Sequence, residues 1–351
     1  MSNKTKTWKT RRLNARRLRR RLRRVDIFTG RKNQAAPRYA RQDVVYFPEI
    51  ITLLTPQGHA GLATALEDLR LIFSTSSSVC LDFSYTKQLM PEGMLLLYAE
   101  LTRLNEAFPG RSLSCRPSRA LKVSHVLQHL GVYGLLNYQA PDPPEGEDVV
   151  PWQKIWAKGV DVQGAGELIE GQPSLSPEET GILFKSVSEA VVNVTHHSSL
   201  AAREDDLKLP PTKQWWMFSH ESKSRLYIAV CDLGIGIPRS LPRVHTLEKV
   251  QEAISRMFGD KRPTDGRMIH AALRLGRTRT HEENRGLGFT DIIQIVNAVP
   301  GSFLQIYSNR GGLVYKADDL RPSIKNRTFK NSILGTILVW SFPLKGDQNE
   351  Q

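Results

Sequence analysis

Glu189 and Asn193 stand four residues apart in the segment SVSEAVVNVTHHS. On a helix that spacing puts a carboxylate and a carboxamide on one face. Side by side they suit a hard cation and a water: the amide oxygen can ligate Mg²⁺, and the carboxylate can orient or deprotonate a nucleophile. The same pair also fits a solvated helix surface. Phe184, Val187 and Val191 form the apolar side of this helix. His197 lies four residues after Asn193 on the same helix face, whereas His196 points elsewhere.

A second cluster follows an apolar strand, Leu226 to Val230, in LYIAVCDLGIGIP. Asp232 at the strand end can accept a hydrogen bond from an exocyclic amine such as the adenine N6. Gly234 and Gly236 let the backbone turn tightly and approach a ligand, with Ile237 beside them. A structural turn is the other reading. Third comes NRGLGFTDIIQIV, in which Gly286, Leu287 and Gly288 precede a helix expected from about Phe289 to Val296. Backbone N–H groups at such a start can hold phosphate, and a plain helix start is equally compatible. Last, Gly335-Thr336 opens the strand ILVWSF.

In this order the four boxes resemble the ATP-binding domain of the GHKL superfamily, the gyrase and histidine-kinase type. The resemblance spans 178–345. It implies a Bergerat fold, a mixed sheet with helices on one face, with ATP and Mg²⁺ as cofactors. Glu189 then resembles the catalytic base or water-positioning residue, and Asn193 the Mg²⁺ ligand. Asp232 resembles the adenine-reading residue, with Gly234, Gly236 and Ile237 around it and Thr336 in support. Gly286, Leu287 and Gly288 resemble the phosphate-facing box. Residues 239–285 become an ATP lid, basic through Arg267, Arg274, Arg277, Arg279 and Arg285, and Arg277 and Arg279 are candidate phosphate contacts. Phe289 replaces an aliphatic residue common in the family, and Val194 an alanine.

The elements upstream read as strand–helix repeats. Strands are expected at 44–47, 50–54, 79–83 and 111–115, and helices at 58–73, 91–108 and 118–130. That alternation implies an α/β sandwich. Residues 42–140, and above all VCLDFSYTKQLMPEGMLLLYAEL, resemble a STAS domain, the fold of anti-sigma-factor antagonists. Those antagonists carry a phosphorylatable hydroxyl where this chain has Met90-Pro91-Glu92-Gly93, so the resemblance implies docking rather than a phosphoswitch. Residues 141–177 are rich in Pro, Gly and acids and read as a linker or peripheral loops, with Trp152 and Trp156 suggesting that part of the segment packs. The expected fold class is thus α/β (α+β): a STAS-like sandwich, then a Bergerat-fold domain.

Residues 1–41 hold 16 of the chain's 49 Lys and Arg but one of its 35 Asp and Glu. The remainder is nearly neutral, which argues against a nucleic-acid surface spread over the whole protein. Leu18, Leu22 and Val25 recur at helical spacing within the arginines, so this basic arm can fold against a polyanion. RNA or DNA through residues 4–41, an acidic membrane or protein partner, and a solvated tail are the readings. An organelle transit peptide is disfavoured by the arm's few serines. Cys80, Cys115 and Cys231 are scattered, and no apolar stretch is long enough to span a bilayer. A cytoplasmic protein is expected.

The neighbours of the ATP-type region discriminate within the superfamily. No helical hairpin with an acceptor His precedes it, and only a short stretch follows its last strand, unlike the gyrase type. Anti-sigma-factor serine kinases are the nearest resemblance. The expected function is an ATP-binding regulatory protein whose Mg²⁺-ATP-dependent lid gates a protein or nucleic-acid partner, with slow ATPase activity compatible. A serine/threonine kinase and a non-catalytic ATP-bound scaffold are the alternatives.

Overall fold

A computed structural model describes residues 43–344 apart from 142–151, 173, 198–199, 212, 223, 260, 279–287 and 318–321. The basic arm, Arg279, Arg285, Gly286 and Leu287 therefore lie outside the described residues, as do the side chains of His197 and Arg277. The described chain is mixed α/β, with parallel and antiparallel sheets.

The first part follows the expected strand–helix alternation, but the strand expected at 50–54 is confined to Ile50–Ile51 and the helix expected at 118–130 to Leu121–His129. Strands β1 (Asp43–Tyr46), β3 (Ser78–Asp82) and β5 (Ser112–Arg116) form a parallel sheet in the order β1-β3-β5. Two short strands, β2 (Ile50–Ile51) and β4 (Gln88–Leu89), pair beside it. Helices α1 (Pro56–Thr75), α2 (Pro91–Ala107), α3 (Leu121–His129) and α4 (Val132–Leu135) complete this layer. Thr55 caps α1 by accepting from the Gly58 amide. Gly131, at φ +72°, makes the left-handed turn between α3 and α4.

The second part is a seven-stranded antiparallel sheet in the order β11-β10-β9-β12-β8-β7-β6. Its strands are β6 (Trp152–Lys158), β7 (Gln214–Glu221), β8 (Arg225–Asp232), β9 (Phe303–Ser308), β10 (Gly311–Lys316), β11 (Ser323–Thr328) and β12 (Thr336–Pro343). Helices α5 (Gln163–Glu170), α6 (Pro177–His197) and α10 (Gly288–Ala298) cover one face. Strand alternation assigns that face: Trp215, Met217, Ile228, Val230, Leu338 and Trp340 meet Val187, Val191, Ile292 and Val296. Trp340 donates to the Ile292 carbonyl (2.9 Å), pinning α10 to β12.

The opposite face is covered by α2, which packs on β7, β8 and β12 while also touching α1. Leu95, Leu96 and Leu97 are all fully buried. A helix buried on every side suits a position between two layers, and residues 42–351 form one compact unit.

Three expectations need correction. The segment 141–177 is not only linker: β6 is an edge strand of the large sheet, and α5 buries Ala165, Leu168 and Ile169. Residues 239–285 are not mainly an open loop. They hold most of α7 (Ile237–Val244), α8 (Leu247–Phe258) and α9 (Asp265–Thr278), which share a small core of Leu241, Val250, Ile254 and Ala272. Phe184, expected on the buried side of α6, is 37% exposed at its edge.

His59 on α1 is buried, stacks on Phe329 at 3.8 Å and has no hydrogen-bond partner for either ring nitrogen. Burial pushes its pKa from 6.5 down to about 4. Between those values the unfolded chain binds a proton that the folded chain refuses, so stability falls as pH drops through this window. The shift corresponds to about 3 kcal/mol. Urea unfolding from pH 7 to 4 should show a shallower loss for His59→Phe, which keeps the stack and cannot titrate. Parallel curves for the two proteins would refute this assignment.

Candidate functional site

Asp232 is the last residue of β8, and Thr336 the first of β12. The two are register partners, and Thr336 is also the partner of Ser308 at the end of β9. Alternation along β8 and β12 aims Asp232 and Thr336 at the face that carries α6. Both are buried. The Asp232 carboxylate accepts from the Gly234 amide (2.7 Å) and from the Thr336 hydroxyl.

Proton bookkeeping extends the cluster. Thr336 has one hydroxyl proton, and the carboxylate takes it. Ser308 Oγ lies 3.0 Å from Thr336 Oγ1 and 3.2 Å from the Gly335 carbonyl, so it donates to one of these. It also accepts from the Ile237 amide (2.8 Å). One network thus joins Asp232, Gly234, Ile237, Ser308 and Thr336. Burial raises the Asp232 pKa from 3.8 to about 6, against the hydrogen bonds from Gly234 and Thr336 and the charge of Arg203. At neutral pH the group is a buried carboxylate with lone pairs to spare.

Two glycines are required here. Gly236 has φ +79°, and a Cβ on it would lie 2.6 Å from the Asn309 amide, which donates to the Ile235 carbonyl (2.8 Å). A Cβ on Gly335 would overlap the Asp232 carbonyl oxygen. Backbone atoms cannot step aside as a flexible side chain can. Gly335→Ala should therefore cost about 1–3 kcal/mol, the range for overpacking, read as a lower urea midpoint. An unchanged midpoint would show that the β8–β12 pairing tolerates the shift.

Glu189 and Asn193 form a second cluster on α6. Asn193 Nδ2 approaches Glu189 Oε1 at 3.4 Å. Glu189 is half-buried, and its pKa is raised by burial and then by Asp291, with Lys185 opposing. Lys185 pairs with Asp291 at 2.9 Å, and Ser186 donates to the Asp291 carbonyl (2.7 Å). These contacts dock the first turn of α10 on α6. Gly288 is the first residue of α10, one position before the expected start.

Ser308, Asn309, Asp291 and Lys185 escaped sequence reasoning. A signal existed for two of them: Ser308 and Asn309 close the strand just before Arg310-Gly311-Gly312, where Asn suits the positive φ (+52°) of the turn to β10. Lys185 and Asp291 read as ordinary helix-surface charges.

Among the described residues no cluster of three or more His, Cys, Asp or Glu is placed to hold a metal ion. Mg²⁺ does not need one, since it keeps several waters and commonly binds one or two protein oxygens together with phosphates. Asn193 with Glu189 fits that limited role. The three cysteines are free, and burial raises the Cys115 thiol pKa to about 12. No described helix is long and apolar enough to cross a membrane. No protein-family model matches the sequence, and no curated protein matches it significantly.

Proposed function

We propose that this chain is an ATP-binding regulatory protein of the GHKL type, with 178–345 as a Bergerat-fold domain and 42–140 as a STAS-like domain. The reading rests on Asp232: a buried carboxylate at a strand end, held by Gly234 and Thr336 and facing α6. Such a carboxylate matches the exocyclic amine of adenine and leaves a guanine carbonyl facing a like charge. Asn193 and Glu189 would hold Mg²⁺ and a water on the same sheet face, and the start of α10 would receive phosphate. Gly286, Leu287, Arg277 and Arg279 would complete that end. When bound, Mg²⁺-ATP supplies a transferable phosphoryl group.

Nucleotide binding would draw the α7–α9 helices toward the pocket and change how the protein holds a protein or nucleic-acid partner in the cytoplasm. The basic arm is the candidate nucleic-acid contact. A scaffold with ATP as a structural ligand would use the same pocket without turnover. A kinase or ATPase reading is favoured by Glu189, whose raised pKa suits a general base.

Purified protein with Mg²⁺ and γ-labelled ATP decides between them, with Glu189→Ala beside it. Adenine nucleotide should bind both proteins. Free phosphate, or label on protein, should appear with the parent alone. Binding without turnover by either protein would leave the scaffold, and absence of binding by the parent would sink the nucleotide reading.

A further inference from the structure

Glu100 on α2 is fully buried between the two layers, yet three guanidinium groups converge on it. Arg203 reaches it at 2.7 Å, Arg103 at 2.8 Å and Arg70 of α1 at 3.5 Å. Asp205 takes Arg103 at 2.7 Å and Arg203 at 3.5 Å. All five side chains are buried. Desolvation makes such a cluster a poor source of stability compared with apolar packing. Its geometry points to a different use.

Arg203 has donors left after meeting the carboxylates. Its Nε donates to the Leu334 carbonyl (2.7 Å), and Nη2 approaches the Ile333 carbonyl at 3.4 Å. These two residues come directly before Gly335-Thr336. Leu334 sits at φ +55°, a conformation that leucine adopts only when its surroundings hold it there. From the other side Asn309 accepts from the Ile333 amide (3.0 Å) and donates to the Gly335 carbonyl (3.1 Å). The turn that delivers Thr336 to Asp232 is thus gripped by Arg203 and Asn309.

We infer that Arg203, oriented by Glu100 of the N-terminal layer, is a positioning residue for the Asp232 pocket, so that the N-terminal layer sets how selectively this pocket reads an adenine. The inference rests on the nucleotide reading above. Three observations support it. The planar fork of arginine reaches a carboxylate and two carbonyls at once, which lysine cannot do. The Arg203 charge also favours the ionised form of Asp232. And Glu100 is linked through Arg203 to the turn that precedes Thr336, from the sheet face opposite α6, so signals to α1 or α2 have a physical route to Asp232.

The test uses the full chain as parent, Arg203→Met and Arg203→Lys. Carbon-13 NMR of the Asp232 carboxyl gives its titration midpoint without any ligand. Calorimetry gives affinities for ATP and for purine riboside triphosphate, which lacks the exocyclic amine. Arg203→Met should move the Asp232 midpoint upward and weaken ATP by about tenfold, one lost charge-assisted hydrogen bond. Purine riboside triphosphate should be nearly unaffected, so discrimination collapses. Arg203→Lys should keep more of the midpoint and still lose discrimination. Equal weakening of both nucleotides with an unmoved midpoint would show a purely structural residue and overturn the inference. If Arg203→Met does not fold, Arg203→Lys alone decides: retained discrimination overturns the positioning role. If the parent binds neither nucleotide, the nucleotide reading falls, while the carboxyl titration still tests whether Arg203 governs Asp232.

Discussion

Asp232→Asn should weaken adenine-nucleotide binding by about 10- to 150-fold while leaving the unliganded protein at least as stable as its parent. The two effects share one cause. Burial holds the Asp232 carboxyl at a pKa of about 6, above its ordinary 3.8. Between these values the folded protein binds a proton that the unfolded chain releases, so stability declines as pH rises through the window. Above pH 6 the ionised group costs the fold about 3 kcal/mol. Asn has the same shape and can keep the bond from Gly234, but carries no charge to desolvate. It is also a weaker partner for an amine. A hydrogen bond to a charged group contributes about 1.5–3 kcal/mol, so affinity should fall about 10- to 150-fold. In the parent, affinity should fall as pH drops below about 6, because the protonated acid meets the amine with a hydrogen of its own. Calorimetry from pH 5 to 8, with urea unfolding of both proteins, checks each limb. Parental affinity in Asp232→Asn would remove Asp232 from any adenine-reading role.

Glu100→Ala carries the largest expected cost in stability. It leaves Arg103 and Arg203 buried with Asp205 to share, and removes the carboxylate that Arg70 meets. Breaking a buried ion cluster from one side typically costs about 3–5 kcal/mol. Burial alone would raise the Glu100 pKa, but the three guanidinium groups outweigh it and hold the carboxyl well below its usual range. Its contribution is therefore complete at neutral pH and lost only in strong acid. Glu100→Gln should cost less, since the amide oxygen still accepts from one arginine. Chemical denaturation at pH 7 separates these cases, and a loss under 1 kcal/mol in Glu100→Ala would mean that water or Asp205 replaces the carboxylate.

Much of the local structure was legible in residue order. The strand at 78–82, the helix at 91–107 and the helix at 177–197 follow from apolar periodicity with few competing signals. The run into Asp232 was legible because an apolar strand stops at a charge and two glycines. The edge strand β6 was obscured: its alternating Trp-Gln-Lys-Ile-Trp is flanked by Pro- and Gly-rich sequence, and an edge strand needs only one partner. The helices at 247–258 and 265–278 were hidden by their arginines, because their narrow apolar stripes bury only a small shared core.

The sequence by itself determined which residues could do chemistry and on which kind of element each would sit. Helical and strand periods are written within twenty residues, and a carboxylate before glycines needs no distant partner to be seen. Only the tertiary structure decided which of these groups meet. Asp232 and Thr336 are brought together by β8–β12 pairing across more than a hundred residues, with Ser308 supplied by a third strand. Arg203 reads as a solvated charge within Ala-Ala-Arg-Glu-Asp-Asp, and Glu100 as one exposed position on an apolar helix. Both are buried because α2 is covered on two sides, by α1 and by the large sheet. Burial of a charge depends on what packs over it, and that partner lies too far along the chain for any local pattern to announce.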